Sequence, residues 1–189
     1  KEYQSIYNQY VNFYHDELLK NESYSAARDY LKNRSLNKDE VKKFKIGYVD
    51  KNPNFFEKIS KEFSEQALVE TGLFYLDEKK KIYVERFRGR LIFPINNITG
   101  QPIALGGRII EKKDYLAKYI NSPETIFFKK GSNLYNLDIA RKLSNKTDHI
   151  FLVEGYMDVV GLSKSGINNV VANLGTSLTD KQTLTLNQF

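Results

Sequence analysis

Among the 189 residues there is no cysteine and no tryptophan, and only two histidines, one methionine and four prolines. Without cysteine there is no disulfide framework and no thiolate zinc site, so a cytoplasmic setting is allowed. His15 and His149 are the whole histidine supply, which excludes a histidine-rich metal centre; neither sits in a motif, and both read as structural. Metal chemistry must then use carboxylates, which suit hard cations such as magnesium. No apolar run approaches the roughly 20 residues that span a bilayer, so no membrane association is expected. The opening Lys1-Glu2-Tyr3-Gln4-Ser5 lacks the apolar stretch of a secretory signal. The chain starts without Met and directly in a helical pattern, as expected of a domain taken from a longer protein.

What is present can build a core, since hydrophobic residues make up 41% of the chain, enough to argue against disorder. The length suits one or two domains. A balance of 29 Lys and Arg against 23 Asp and Glu gives a net charge of +6, compatible with a polyanionic partner and equally with a well-solvated surface.

Residues 1–71 read as helical. Tyr3, Ile6, Tyr7, Tyr10, Val11, Phe13 and Tyr14 recur at helical spacing, a stripe expected to be core. A second helix is expected over Tyr24 to Asn33. Asn37, with Glu40 three residues on, marks a capped helix over Lys38 to Phe44. Phe55 to Phe63 and Glu65 to Thr71 complete this part, stopped by Gly72. Residues 72–130 change character. Leu73 to Leu76 and Arg90 to Ile95 are candidate strands, the second expected to end at Pro94 and pair with Pro102 to Ile110 as a hairpin. From Asp148 the pattern is βαβ: Ile150 to Val153 as a buried parallel strand, a helix over Met157 to Lys164, a strand over Asn169 to Ala172, and a last helix capped by Ser177 or Thr179.

The feature most suggestive of chemistry is Val153-Glu154-Gly155-Tyr156-Met157-Asp158. A carboxylate at the C-terminal tip of a parallel strand lies where ligands of α/β sheets bind. Asp158, near the start of the following helix, can face the same locus, and two acids there could hold a magnesium ion. Equally, Asp158 could cap its helix and Glu154 could simply be exposed; spacing alone leaves both open.

The surrounding words go further. Glu154-Gly155-Tyr156-Met157-Asp158, with Val171-Ala172-Asn173-Leu174-Gly175-Thr176-Ser177, closely resembles the Toprim domain of DnaG-type bacterial primases. Four more blocks resemble that family in its order. They are Tyr30 to Leu36 with Phe44 to Tyr48, Arg86 to Ile95, Ile103 to Arg108, and Lys118 to Thr125 continuing to Lys130-Gly131 and Leu134-Tyr135. Together they cover about residues 24 to 180.

The resemblance implies an α/β protein: a mixed α+β N-terminal subdomain over residues 1–130, then a truncated Toprim βαβ subdomain with a parallel sheet over 131–189. It implies a DNA-directed RNA polymerase that makes short RNA primers on single-stranded DNA from ribonucleoside triphosphates during replication, with magnesium or manganese. It implies Glu154 as a catalytic metal ligand supported by Asp158, and Lys118 and Arg108 as catalytic cations. It implies nucleotide or nucleic-acid contacts from Arg34, Arg86, Arg88, Arg90, Arg108, Lys118, Tyr119, Asn121 and Lys130. A monomer is expected, meeting the replicative helicase through a C-terminal domain outside this chain, with zinc confined to another absent domain.

Bland alternatives stand beside these roles. Arg86, Arg88 and Arg90 alternate on a possible strand and could be one solvated face; Arg34 could be a helix-end residue; Tyr119 could merely pack. Arg108 follows Gly106-Gly107, which suggests a flexible, exposed approach suited to phosphate. Ser35 stands where the family usually has glycine. The family's Asp-x-Asp strand is expected beyond Phe189, so this stretch alone is expected to bind metal incompletely and make no primer. The rival readings are another Toprim enzyme, a topoisomerase or nuclease, or a non-catalytic module that binds single-stranded DNA.

Overall fold

A computed structural model describes residues 1–143 and 146–189. Helix α1 (Glu2–Lys20) opens the chain; Ile6, Tyr7, Tyr10, Val11, Tyr14 and Leu18 form its buried face, so the aromatic stripe is core. A 3₁₀ turn over Glu22–Tyr24 leads into α2 (Ser25–Asn33). Helix α3 (Lys38–Lys43) starts at Asn37, whose backbone N–H donates to Glu40 Oε2 at 2.7 Å. Ser35, between these helices, has φ +59°, a left-handed conformation that glycine would adopt without steric cost.

Strand β1 (Gly47–Val49) follows, too short to show alternation in the sequence. The helix expected over Phe55 to Phe63 is α4 (Phe55–Ile59) alone. The chain leaves helical geometry because Ser64 must be extended to cap α5 (Glu65–Glu70), accepting from Ala67 N–H. Strands β2 (Phe74–Asp77) and β3 (Ile82–Glu85) form an antiparallel hairpin. Then come β4 (Arg90–Asn96), β5 (Pro102–Ile109) and the short β6 (Tyr119–Asn121). The main sheet is antiparallel, in the order β1-β4-β5-β6.

Pro94 lies inside β4 instead of ending it, opposite Leu105. The backbone of Leu105 is bonded to Ser122 on the other side, its N–H donating to Oγ and its carbonyl accepting from the Ser122 N–H. Pro94 is therefore in a non-hydrogen-bonded pair. Its missing N–H points away from β5, beyond the end of β1, whose register stops at Ile92.

Strand β4 is apolar throughout because both sheet faces are covered. Leu91, Phe93 and Ile95 enter one core; Ile92 joins Leu105 in the other, beneath α1, α4 and α5. Helix α6 (Leu137–Leu143) leads to β7 (Phe151–Val153), α7 (Tyr156–Lys164), β8 (Val170–Ala172) and α8 (Asp180–Leu186). Strands β7 and β8 pair in parallel across α7, the crossover parallel strands require. This unit lays Tyr156, Val159, Val160 and Val170 on the first face of the main sheet. Lys43 donates to Ser163 Oγ and Asn168 Oδ1, and Lys164 to the Ser35 carbonyl, tying α7 to the N-terminal helices. Strand β8 is fully buried, but Phe151 and Leu152 on β7 are exposed, so among the described residues β7 is an edge, where its apolar run suggested a buried strand.

A buried carboxylate organises the second core. Glu85 Oε1 accepts the N–H groups of Phe55 and Phe56 at the start of α4, and Oε2 accepts from the Tyr14 hydroxyl. Burial raises its pKa, against the lowering effect of the Tyr14 and backbone hydrogen bonds. A raised carboxyl pKa means the folded protein holds this proton more tightly than the unfolded chain. The group's contribution to stability is full below the ordinary glutamate pKa of about 4.3 and is lost as pH rises through the folded value. In thermal unfolding, Glu85→Gln should therefore gain on the original protein as pH rises from about 4.3. A pH-independent difference would contradict this ionisation argument.

Candidate nucleotide and nucleic-acid site

The turn after β7 carries the acidic motif. Val153 pairs with Ala172, which sets the strand tip, and Glu154 is the exposed residue just beyond it. Its carboxylate has no hydrogen-bond or ion-pair partner among the described residues. Gly155 is extended, and its N–H donates to Asp158 Oδ2 at 3.1 Å, so Asp158 caps α7 with one oxygen and leaves the other unused. No group of three or more His, Asp or Glu gathers anywhere among the described residues. Two carboxylates with available oxygens at a strand tip fit a hard cation that takes only one or two protein ligands and completes its shell with water and phosphate.

The second locus is on β5. Arg108 is 4% exposed, and its Nε donates to the Tyr30 hydroxyl. Its guanidinium lies 4.7 Å from the Tyr119 ring centroid and 5.4 Å from that of Tyr30. Arg34 also sits 5.4 Å from the Tyr30 centroid, and Lys118 Nζ is 5.9 Å from that of Tyr119. Tyr30, Arg34, Arg108 and Lys118 line an open cleft of about 440 Å³ beside the loop over residues 111–114. Three cations thus gather on two aromatic faces beside this cleft, and stacking holds the plane of the Arg108 guanidinium. Sequence reasoning missed Tyr30 as part of this cleft; its helical spacing is that of an ordinary packing residue.

Gly106 and Gly107 are not a flexible approach. Both are buried mid-strand, and neither has positive φ. A Cβ on Gly106 would fall 2.4 Å or less from two ring carbons and the hydroxyl oxygen of Tyr156, and one on Gly107 would fall 2.6 Å from Phe87. The glycines are there because aromatic rings lie against the strand.

The remaining predicted residues separate. Arg86, Arg88 and Arg90 do not share a face. Arg90 is 6% exposed and donates to the Ala117 and Lys118 carbonyls at 2.8 and 3.2 Å, holding the loop that leads to Tyr119. Arg86 is half-buried, donates to the Gly72 carbonyl and stacks on Tyr75. Arg88 is exposed. Asn121 donates to the Leu174 carbonyl at 2.9 Å, tying β6 to the loop after β8. Lys130 anchors through its backbone, its carbonyl accepting from the buried Gln182 of α8 and its N–H donating to Glu124. The two loci meet through Tyr156, whose ring centroid is 6.3 Å from that of Tyr119.

Residues 13–141 match the family described as the DNA primase catalytic core, N-terminal domain. This chain belongs to that primase family. Residues 148–189 match the Toprim domain. The DNA primase of Clostridium acetobutylicum is 42% identical over 172 residues, 89% of this chain but 28% of that protein. The primase fold is shared with solved structures. A DNA primase domain from Pseudomonas aeruginosa superposes with a TM-score of 0.89 at 34% identity, over 98% of this chain and 58% of that one. A DnaG primase catalytic domain bound to single-stranded DNA gives 0.87 at 34% identity, over 98% and 57%. The fold is α/β, with the Toprim parallel pair docked on the primase-type antiparallel sheet.

Proposed function

We propose that this chain is part of a primase that copies single-stranded DNA into short RNA primers from ribonucleoside triphosphates. One observation carries the proposal. The partner-free carboxylate of Glu154 is linked to the Arg34, Arg108 and Lys118 cleft by ring contacts: Arg108 stacks on Tyr119, whose ring lies 6.3 Å from that of Tyr156, two residues after Glu154. Nucleotidyl transfer needs both: a carboxylate to hold a cation against phosphate oxygens, and fixed cations to take up charge as pyrophosphate leaves.

In this mechanism Arg108 and Lys118 grip the incoming triphosphate, Arg34 closes the cleft from α2, and the Tyr119 ring orients the guanidinium of Arg108. The 3′-hydroxyl of the growing RNA attacks the α-phosphate, and pyrophosphate departs towards the cationic cleft. Glu154, supported by the free oxygen of Asp158, would hold magnesium or manganese, which supplies phosphate polarisation and activation of the hydroxyl when bound. Arg88, Asn121 and Lys130 border the path for template and primer, and Arg86 and Arg90 act behind it by holding Gly72 and the loop over residues 117–118. The proposal includes a cytoplasmic monomer working beside the replicative helicase.

The test is RNA synthesis by the full-length protein on single-stranded DNA with labelled ribonucleotides and magnesium. Short RNA is the expected product. DNA relaxation or cleavage without RNA would assign the chemistry to a topoisomerase or nuclease. Residues 1–189 alone are expected to make none, since no third acid joins Glu154 and Asp158 among the described residues. They should still bind single-stranded DNA, with an affinity that falls as salt rises.

A further inference from the structure

We infer that the Tyr156 ring, seated in the notch at Gly106, is the positioning element that sets the distance between the Glu154 carboxylate and the Arg108 guanidinium. The inference rests on the proposed primer synthesis. Tyr156 is the first residue of α7, two positions after Glu154. Gly106 is two positions before Arg108 on β5, so both face the same side of the sheet, about 6.6 Å apart along the strand. The ring thus links the two loci, with two residues on one side and two on the other.

Its seat is closely defined. Phe93, directly across from Gly106 on β4, stacks on Tyr156 at 5.4 Å with planes 12° apart. Tyr135 meets it edge-on at 4.9 Å. Two ring carbons and the hydroxyl oxygen of Tyr156 occupy the space that a side chain at position 106 would fill, and Tyr156→Phe keeps the two carbons. The hydroxyl has no hydrogen-bond partner among the described residues, so shape, and not a polar contact, fixes the ring.

Docking of the Toprim unit as a whole has other supports. Lys43 and Lys164 hold the far end of α7, and Asn121 holds the loop after β8. The lysine contacts are remote from Glu154, whereas Asn121 acts at the same strand-tip end, where Asn173 N–H also donates to the Val153 carbonyl. Those bonds hold the backbone after β8 and the tip of β7; Tyr156 is the side-chain contact that seats the turn after Glu154 on β5, and a misplacement of about 1 Å at a reacting centre can cost 10²-fold in rate.

The test uses the full-length protein with Tyr156→Phe, Tyr156→Leu, Gly106→Ala and the double variant Gly106→Ala/Tyr156→Leu. Primer synthesis is measured against magnesium concentration, single-stranded DNA affinity in chelator, and Tm. Tyr156→Phe should keep the original rate. Tyr156→Leu and Gly106→Ala should lower kcat by about 10²-fold and raise the magnesium needed for half-maximal rate, with DNA affinity unchanged. The double variant removes the clash and should regain Tm over Gly106→Ala without regaining kcat. Recovery of kcat together with Tm would overturn the inference, as would a rate loss in Tyr156→Leu without a magnesium shift. If Gly106→Ala does not fold, Tyr156→Leu alone decides by the same magnesium criterion. If the original protein makes no RNA, the proposed function falls first and this inference falls with it.

Discussion

Glu154→Gln in the full-length protein is expected to cut primer synthesis by about three orders of magnitude while leaving the fold and single-stranded DNA binding intact. The residue is exposed and partner-free, so the isosteric amide disturbs no packing and no hydrogen bond. What it removes is the negative charge on a ligand for the divalent cation, whose stabilisation of the transition state amounts to several kcal/mol, or about tenfold in rate for each 1.36 kcal/mol. The measurement is kcat at saturating nucleotide and magnesium, beside Tm and DNA affinity. Activity near the original level would remove Glu154 from the chemistry. A matching fall in Tm would make it a structural residue.

Arg108→Lys is the second large effect expected, despite keeping the charge. Lysine cannot reach the Tyr30 hydroxyl through a planar fork and lie on the Tyr119 face at once, as Arg108 does. Loss of one preorganised donor to a developing anion costs about 10²–10³ in rate. kcat/KM for ribonucleotides should therefore fall by about 10²-fold, with a smaller loss in DNA affinity. An unchanged kcat/KM would show that any cation serves at this position and that the stacked geometry is incidental.

The sequence was most informative where physics is local. The α1 stripe, the Asn37–Glu40 cap and the βαβ periodicity from Asp148 are short-range patterns, and the structure carries each. Contacts between distant segments were less legible. Pro94 looked like a strand end because nothing local tells which ladder side its missing N–H faces. The Arg86, Arg88 and Arg90 alternation looked like one face, but Arg90 turns to carbonyls 27 and 28 residues away. Gly106-Gly107 looked flexible because the ring that fills the notch arrives from position 156. The partners of Arg108 came partly through the family resemblance, in Arg34, Lys118 and Tyr119. Tyr30 did not, since nothing in its own neighbourhood marks it as more than packing.

The β7 edge has a consequence for handling the protein. Its outer ladder is unpaired among the described residues, and Phe151 and Leu152 are 44% and 41% exposed beside it. Such an edge offers backbone donors and acceptors, together with an apolar surface, to any other extended chain. Strand β7 carries no charge of its own, and its pairing with β8 is only three residues long. A concentrated preparation of residues 1–189 is thus expected to associate through this edge, opposed by the net charge of +6 and by the exposed Glu154 at the strand's tip, and most readily at high salt.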